Sequence, residues 1–136
     1  MKKAVAGILS LILMFSLTAC SANKLADSFS EDEVISKAKE VIELLNQQDY
    51  DSAVTMFSEN LKAQLSSEQL KTALDSSINQ AGEFREYSSA ATAGQKDKNT
   101  DEDIAVSVIT CKYENSNHTY TISFNQELEV IGLYMK

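Results

Sequence analysis

Three stretches of the chain repeat apolar residues at steps of three and four positions, which is typical of amphipathic helices. The first, from about residue 31 to residue 47, begins in an S-x-x-E capping box. A shorter helix is predicted after Asp49, and the segment Ser58-Glu59-Asn60 interrupts its apolar face. A second capping box at Ser66 begins the third helix, and Gly82 suits its left-handed C-terminal cap. The pattern therefore predicts three helices in the first half of the chain.

Beyond Gly82 the apolar period changes to two, which is typical of strands joined by short polar turns. We expect strands at about Phe84–Ala93, Ile104–Tyr113, Tyr120–Phe124 and Val130–Met135, with a polar loop over Gly94–Asp103. Strands with such short connections pair as antiparallel neighbours. Helices followed by strands predict an α+β domain in which the N-terminal helices pack on one face of a four-stranded antiparallel sheet.

Two details of strand orientation follow from the same alternation. In the strand Ile104–Tyr113 we assign the face of Val106 to the core, so that Val106→Asp would bury an unpaired charge. In the preceding strand, Phe84 and Tyr87 are an odd number of positions apart and are expected on opposite faces.

The first nineteen residues have the features of an export signal. Lys2 and Lys3 precede the run Ala4–Leu17, whose fourteen residues are too few to span a bilayer, since a spanning helix takes about 20. The following Leu17-Thr18-Ala19-Cys20 resembles the lipobox of bacterial lipoproteins. This resemblance implies signal cleavage between Ala19 and Cys20 and attachment of acyl chains, such as palmitate, to Cys20. An ordinary signal peptide with a coincidental cysteine is the alternative.

The expected organisation is a lipoprotein signal peptide over residues 1–19, a lipidated N-terminus and tether over 20–29, and one domain over 30–136. The partner implied first is the cell membrane, bound at its extracytoplasmic face through the acyl chains of Cys20. With that residue lipidated, Cys111 is the one remaining thiol, and its apolar strand predicts a buried structural role.

Composition limits the other partners. The 136 residues hold 20 acidic and 12 basic side chains, for a net charge of −8. A nucleic-acid-binding surface needs a basic patch, and the sequence contains none, so we expect no nucleic-acid partner. The length fits a single domain.

A further pattern links the helix ends with the strands, and it is carried by Leu44-Leu45-Asn46, Asp49-Tyr50, Phe57, Leu61, Gly82-Glu83-Phe84 and Ile131-Gly132-Leu133. On these residues the chain resembles the domain of unknown function 3887 family, and its order of elements resembles the nuclear-transport-factor-2-like (cystatin-like) superfamily. The resemblance implies a curved sheet around the helices, often with a pocket. Members of that family occur as bacterial lipoproteins and in front of α/β-hydrolases, and we expect this chain to lack such a hydrolase.

Few side chains suggest chemistry. Asp97-Lys98-Asn99-Thr100-Asp101 matches the start of an EF-hand loop, but Glu102 replaces the required glycine and Val108 the final glutamate. We therefore interpret the segment as a solvated hairpin loop. His118 is the single histidine and stands at a turn, which is a poor place for a catalytic base. We expect no metal, because one histidine and one free thiol cannot supply the usual ligands, and no cofactor.

The leading hypothesis is a non-enzymatic, lipid-anchored module that binds a small ligand or an envelope protein. No catalytic residue is assigned, and the ligand-binding residues are unknown. One alternative is a small isomerase or dehydratase that uses a pocket carboxylate of raised pKa; another is an accessory subunit of a separate hydrolase. Candidate acids for the enzyme are Glu83, Glu86, Asp103 and Glu114, and the tyrosines that could line a pocket are Tyr50, Tyr87, Tyr113 and Tyr120.

Overall fold

The computed structural model describes residues 23–136, so Ala19 and Cys20 lie outside the described residues. Within residues 23–136, no helix combines the length and the apolar character needed to cross a membrane. The described elements are the helices α1 (Glu31–Asn46), α2 (Tyr50–Thr55), α3 (Glu59–Gln64) and α4 (Ser67–Ala81) and the strands β1 (Phe84–Lys96), β2 (Asp103–Tyr113), β3 (Asn117–Phe124) and β4 (Val130–Met135).

The helical half contains one more helix than expected, and α1, α3 and α4 each begin at a serine cap. Ser66 forms the complete capping box with Gln69 at the start of α4, whereas Ser30 at α1 accepts only the Glu33 N–H, at 3.5 Å. The interruption predicted around Ser58 is itself a helix start, because the Ser58 hydroxyl accepts the Leu61 N–H at 3.3 Å. The expected count of three helices was therefore wrong: α2 and α3 are separate helices.

The strands form one antiparallel sheet in the order β1-β2-β3-β4. With α1 packed against β1, β2 and β3, the molecule is the predicted α+β domain. The predicted loop over Gly94–Asp103 is shorter than expected, because β1 continues to Lys96 and pairs there with Asp103. The connection between the two strands is therefore only the segment 97–102.

A segment before α1 lies against the outer edge of β1. The Gly94 N–H donates to the Asn23 carbonyl oxygen at 2.8 Å. Leu25 and Phe29 are half-buried and pack on the core. A Cβ at Gly94 would stand 2.3 Å from the Lys24 carbonyl oxygen, which is closer than atoms can approach. The absence of a side chain at Gly94 therefore lets the segment dock.

The core lies between the helices and one face of the sheet, and β2 presents Ala105, Ile109, Cys111 and Tyr113 to it. The assignment of Val106 to this face was wrong. Val106 is buried but lies on the opposite face, while the adjacent Ala105 belongs to the core. Because side chains alternate along a strand, an error of one position exchanges the two faces completely.

The β4 edge is partly covered by the chain between α2 and α3. The Val130 N–H donates to the Met56 carbonyl oxygen, and the Ser58 N–H donates to the Val130 carbonyl oxygen, both at 2.9 Å. Phe57, which stands between Met56 and Ser58 in the chain, is fully buried. This short parallel bridge anchors the helical half to the last strand.

Candidate functional site

An aromatic cluster occupies the inner face of the sheet near the start of β1. Register shifts between Phe84 and Glu86 and between Tyr87 and Ser89 interrupt the regular alternation of β1. The expectation that Phe84 and Tyr87 lie on opposite faces was therefore wrong, and their ring centroids are 4.8 Å apart. Phe84 also meets Tyr113 of β2 edge-to-face, with centroids 5.8 Å apart.

The Tyr113 hydroxyl links this cluster to α1. It donates to the Asn46 side-chain oxygen at 2.5 Å and lies 2.8 Å from the Tyr120 hydroxyl. A tyrosine hydroxyl has one proton, so with that proton committed to Asn46 it is Tyr120 that donates to Tyr113. The result is a directed chain of hydrogen bonds from β3 through β2 to the end of α1.

Burial keeps these phenols neutral. It is the main cause that raises the pKa of Tyr120 to about 12, and it raises that of Tyr87 to about 12 with help from the negative charge of Glu43. Burial and the neighbouring Tyr120 also raise the pKa of Tyr113. A tyrosine used as a base must lose its proton near neutral pH, so these hydroxyls are suited to hydrogen bonding.

Cys111 lies between two polar side chains on this inner face. In the sheet register it pairs with Tyr87 on one side and with His118 on the other. Within residues 23–136 the thiol forms no disulfide; it is fully buried, as its strand predicted, and burial raises its pKa to about 11. Because the thiolate is the reactive form of cysteine, this thiol is inert at neutral pH.

His118 is half-buried and packs its ring against Tyr113, with centroids 5.3 Å apart. Its Nδ1 lies 3.3 Å from the Lys136 carbonyl oxygen, which can only accept, so Nδ1 is the protonated nitrogen of this bond. Among residues 23–136 neither His118 Nε2 nor the Tyr87 hydroxyl has a hydrogen-bond partner, although both atoms are buried. The ring thus contacts an aromatic side chain and a backbone carbonyl in the described part of the chain.

Beside the cluster, a groove of about 590 Å³ opens where the ends of α1 and α4 meet the start of β1. Tyr113 and Phe84 contribute aromatic rings to it, and most of the remaining lining is polar. The complete lining is Asn46, Gln48, Ile78, Asn79, Gly82, Glu83, Phe84 and Tyr113. We call it the amide-lined groove.

A hydrogen-bond network holds the rim of the amide-lined groove. The Gln48 side-chain nitrogen donates to Asp75 at 2.6 Å and to the Asn79 side-chain oxygen at 2.9 Å. The Tyr50 hydroxyl also donates to Asp75, at 3.0 Å. Gln48 has a positive φ of 56° in the turn after α1, and this backbone conformation aims its side chain at α4. The turn and α4 are therefore tied together on one side of the groove.

The network leaves hydrogen-bonding capacity inside the groove. Within the described residues, the Asn46 side-chain nitrogen and the Gln48 side-chain oxygen make no hydrogen bond. Both residues line the groove together with Phe84 and Tyr113, so an amide donor and an amide acceptor are available to a ligand there. This combination suits a neutral polar molecule with an apolar part.

Of the candidate carboxylates, Glu83 alone lines the groove. Its side chain is 80% exposed and lies 3.7 Å from Arg85, which also pairs with Glu114 at 2.9 Å. Glu86 is exposed on β1, and Asp103 pairs with Lys96 at 3.0 Å beside the hairpin loop. Glu83 and Glu114 thus share Arg85, Asp103 pairs with Lys96, and only Glu83 of the four acids lines the groove.

The loop that begins like an EF-hand has a local role. Asp97 accepts the backbone N–H groups of Asn99 at 2.7 Å and Thr100 at 3.1 Å, and these bonds hold the pKa of its carboxyl below the usual value. Its oxygen thus shapes a solvated hairpin loop, as interpreted from the sequence. Within residues 23–136, no group of three or more His, Cys, Asp or Glu side chains is placed to hold a metal ion.

Sequence reasoning named Tyr113 and Glu83 but did not assign Asn46, Gln48 or Asn79 to a site. Asn46 and Tyr113 are 67 positions apart, and polar residues at the end of a helix are ordinary in sequence. Only the packing of α1, α4 and β2 brings them together.

Comparison with known proteins identifies the fold. The family model described as "Protein of unknown function (DUF3887)" matches residues 38–133. An NMR structure of a protein from Ruminococcus gnavus ATCC 29149 superposes with a TM-score of 0.72 at 26% identity. The match covers 84% of this chain and 97% of the bacterial protein. Among curated proteins, none matches this sequence.

Proposed function

This chain belongs to the DUF3887 family of proteins of unknown function, and we propose that it is a lipid-anchored, extracytoplasmic bacterial lipoprotein. In this proposal it is a non-enzymatic module that binds a small ligand or an envelope protein in the amide-lined groove. The observation that carries the binding role is the groove itself, which is lined by the amide side chains of Asn46 and Gln48 and by two aromatic rings.

The anchor is supported by the order of features at the N-terminus. Two lysines, an apolar run and Leu17-Thr18-Ala19-Cys20 follow one another at the spacing of a lipoprotein signal. Each buried CH₂ of an acyl chain contributes about 0.8 kcal/mol to membrane binding, and two chains anchor stably. The acidic balance of the chain gives no electrostatic attraction to anionic headgroups, so the acyl chains would supply the affinity.

Replacing the anchor cysteine tests this part of the proposal. Cys20→Ser should abolish incorporation of labelled palmitate and release the protein from the membrane fraction, because serine offers no thiol for acylation. Cys111→Ala is the matched control, since its thiol is buried within the domain. Palmitate incorporation that persists in Cys20→Ser would contradict the assignment.

A non-enzymatic role is supported by the chemistry of the buried groups. Burial raises the pKa of the Cys111 thiol and of the tyrosines, which keeps their protons in place at neutral pH. The carboxylate in the groove, Glu83, is exposed to solvent. A pocket acid for isomerase or dehydratase chemistry would need to be shielded from water.

The binding role is tested by obstructing the amide-lined groove. The mature protein is purified from its own membranes in mild detergent, and its mass under native conditions is compared with that of the denatured, acylated chain by mass spectrometry. Wild type should carry a discrete added mass, and Glu83→Trp should lose it, because an indole would occupy the groove. Glu86→Trp is the matched control, since Glu86 is an exposed acid outside the groove.

The measured masses distinguish a small ligand in the groove from a ligand bound elsewhere and from an envelope protein. An added mass that survives in Glu83→Trp would place the ligand elsewhere and contradict the proposal. A wild-type protein without added mass would contradict a small ligand and favour an envelope protein as the groove's partner.

A further inference from the structure

The docked segment before α1 sets how close the domain lies to its attachment point. Asn23 accepts the Gly94 N–H at 2.8 Å, and the Lys24 carbonyl covers the position where a side chain at Gly94 would stand. Leu25 and Phe29 then pack on the core. The chain is therefore held to the domain from Asn23 onward.

Only Ser21 and Ala22 separate Asn23 from Cys20. Consecutive Cα atoms are about 3.8 Å apart, so these three steps can span at most about 11 Å. This is less than half the length of α1, whose 16 residues extend about 24 Å at 1.5 Å per residue. A lipid on Cys20 would therefore hold the β1 edge near Gly94 close to the bilayer surface.

The topology places the amide-lined groove at the opposite end of the domain. Asn46, the last residue of α1, contacts Tyr113 at the end of β2. The start of α1 follows directly on the docked segment, which lies at the other end of β2, because Gly94 pairs with Ala105. The hairpin loop 97–102 lies at this second end, which we call the anchor pole.

We propose that the domain stands on the membrane in one orientation, with its anchor pole toward the bilayer and the amide-lined groove directed away from it. This inference rests on the proposed lipid at Cys20. Loop 97–102 holds three acids and one lysine, so anionic headgroups would repel it. The orientation is therefore set by the short connection to Cys20 and not by charge attraction. The groove's ligand then arrives from the extracytoplasmic space and not from within the bilayer.

Energy transfer in vesicles tests the orientation. The mature lipidated protein is labelled at Lys98→Cys in the hairpin loop or at Ser116→Cys in the turn before β3. It is bound to phosphatidylcholine–phosphatidylglycerol vesicles that contain an acceptor-labelled lipid. We expect at least twofold more efficient transfer from position 98 than from position 116. Cys111 is buried and does not compete for the label.

Gly94→Ala should abolish this difference, because the new Cβ cannot coexist with the Lys24 carbonyl and the segment undocks. Gly132→Ala is the matched control, since a Cβ there meets Ser123 at an ordinary 3.6 Å, and it should preserve the difference. Equal transfer from positions 98 and 116 in vesicle-bound protein would overturn the orientation. An intact mass without acyl chains would instead show that the anchor itself is wrong.

Discussion

At the scale of single residues, Tyr87 and Tyr113 are neighbours in the aromatic cluster, but their hydroxyl groups have opposite surroundings. The Tyr113 hydroxyl bonds both Asn46 and Tyr120. The Tyr87 hydroxyl is buried and has no hydrogen-bond partner within 3.5 Å in the described chain, although the Glu43 carboxylate is near enough to raise its pKa. A satisfied buried hydroxyl stabilises the fold, whereas an unsatisfied one costs free energy.

The same substitution should therefore have different effects at the two positions. Tyr113→Phe should lower the free energy of unfolding by about 1–3 kcal/mol, because it deprives Asn46 and Tyr120 of a partner. Tyr87→Phe should leave that free energy unchanged or raise it, since it removes an unpaired hydroxyl. Urea unfolding at neutral pH measures both, with Tyr134→Phe at an exposed tyrosine as control.

An equal loss in the two variants would show that Tyr87 has a partner in solution, such as an ordered water. A Tyr113→Phe variant as stable as wild type would show that the hydrogen-bond chain through β3, β2 and α1 does not stabilise the fold.

At the scale of elements, the sequence of β2 does not show which of its two faces packs against the helices. Ile104, Val106 and Val108 are large and β-branched, so the sequence favours their face as the core. The helices instead cover the face with Ala105, Ile109 and Cys111. Ile104 and Val106 on the other face are buried as well, whereas Val108 is partly exposed, so size and hydrophobicity alone do not indicate which side of β2 the helices take.

Adjacent residues of β2 test this arrangement. Ile109→Asp should lower the free energy of unfolding by more than about 4 kcal/mol or prevent folding, because the charge would be buried without a partner. Val108→Asp should cost no more than about 1 kcal/mol, the range of β-propensity differences, since Val108 is 38% exposed. Thermal melts of the two variants decide between the faces, and comparable losses would mean that both faces are covered.

Other elements could be predicted where their own residues carry a cap, an apolar stripe or a strong strand propensity. The apolar stripe of α1 and the capping box at Ser66 place these helix boundaries from sequence. The α4 helix does end at Gly82 with a positive φ of 79°, but its ψ of −157° is not that of the left-handed cap expected there. The far end of β1 gives weaker signals, because Ala93 and Gly94 have low strand propensity and their pairing with β2 determines their conformation. The two irregularities of β1, which bring Phe84 beside Tyr87, leave no mark in the sequence pattern.

At the scale of the whole molecule, the order of helices and strands was sufficient to predict the α+β architecture. The amide-lined groove was not predictable in the same way. Its residues come from the end of α1 and the turn after it, the end of α4, the start of β1 and the end of β2, and each is ordinary in its local sequence. A site assembled from such distant segments becomes visible only when the elements are packed.

The hydrogen bonds that join Met56 and Ser58 to Val130 limit how the edge strand β4 can pair with another copy of the chain. Lipoproteins confined to a membrane plane meet one another at high effective concentration, and an open strand edge is a template for intermolecular pairing. Here the chain's own backbone occupies hydrogen-bonding groups at both margins of the sheet, Val130 on one side and Gly94 on the other. If the proposed anchor packs copies side by side on a bilayer, they would find these positions already taken, which favours separate molecules over filaments.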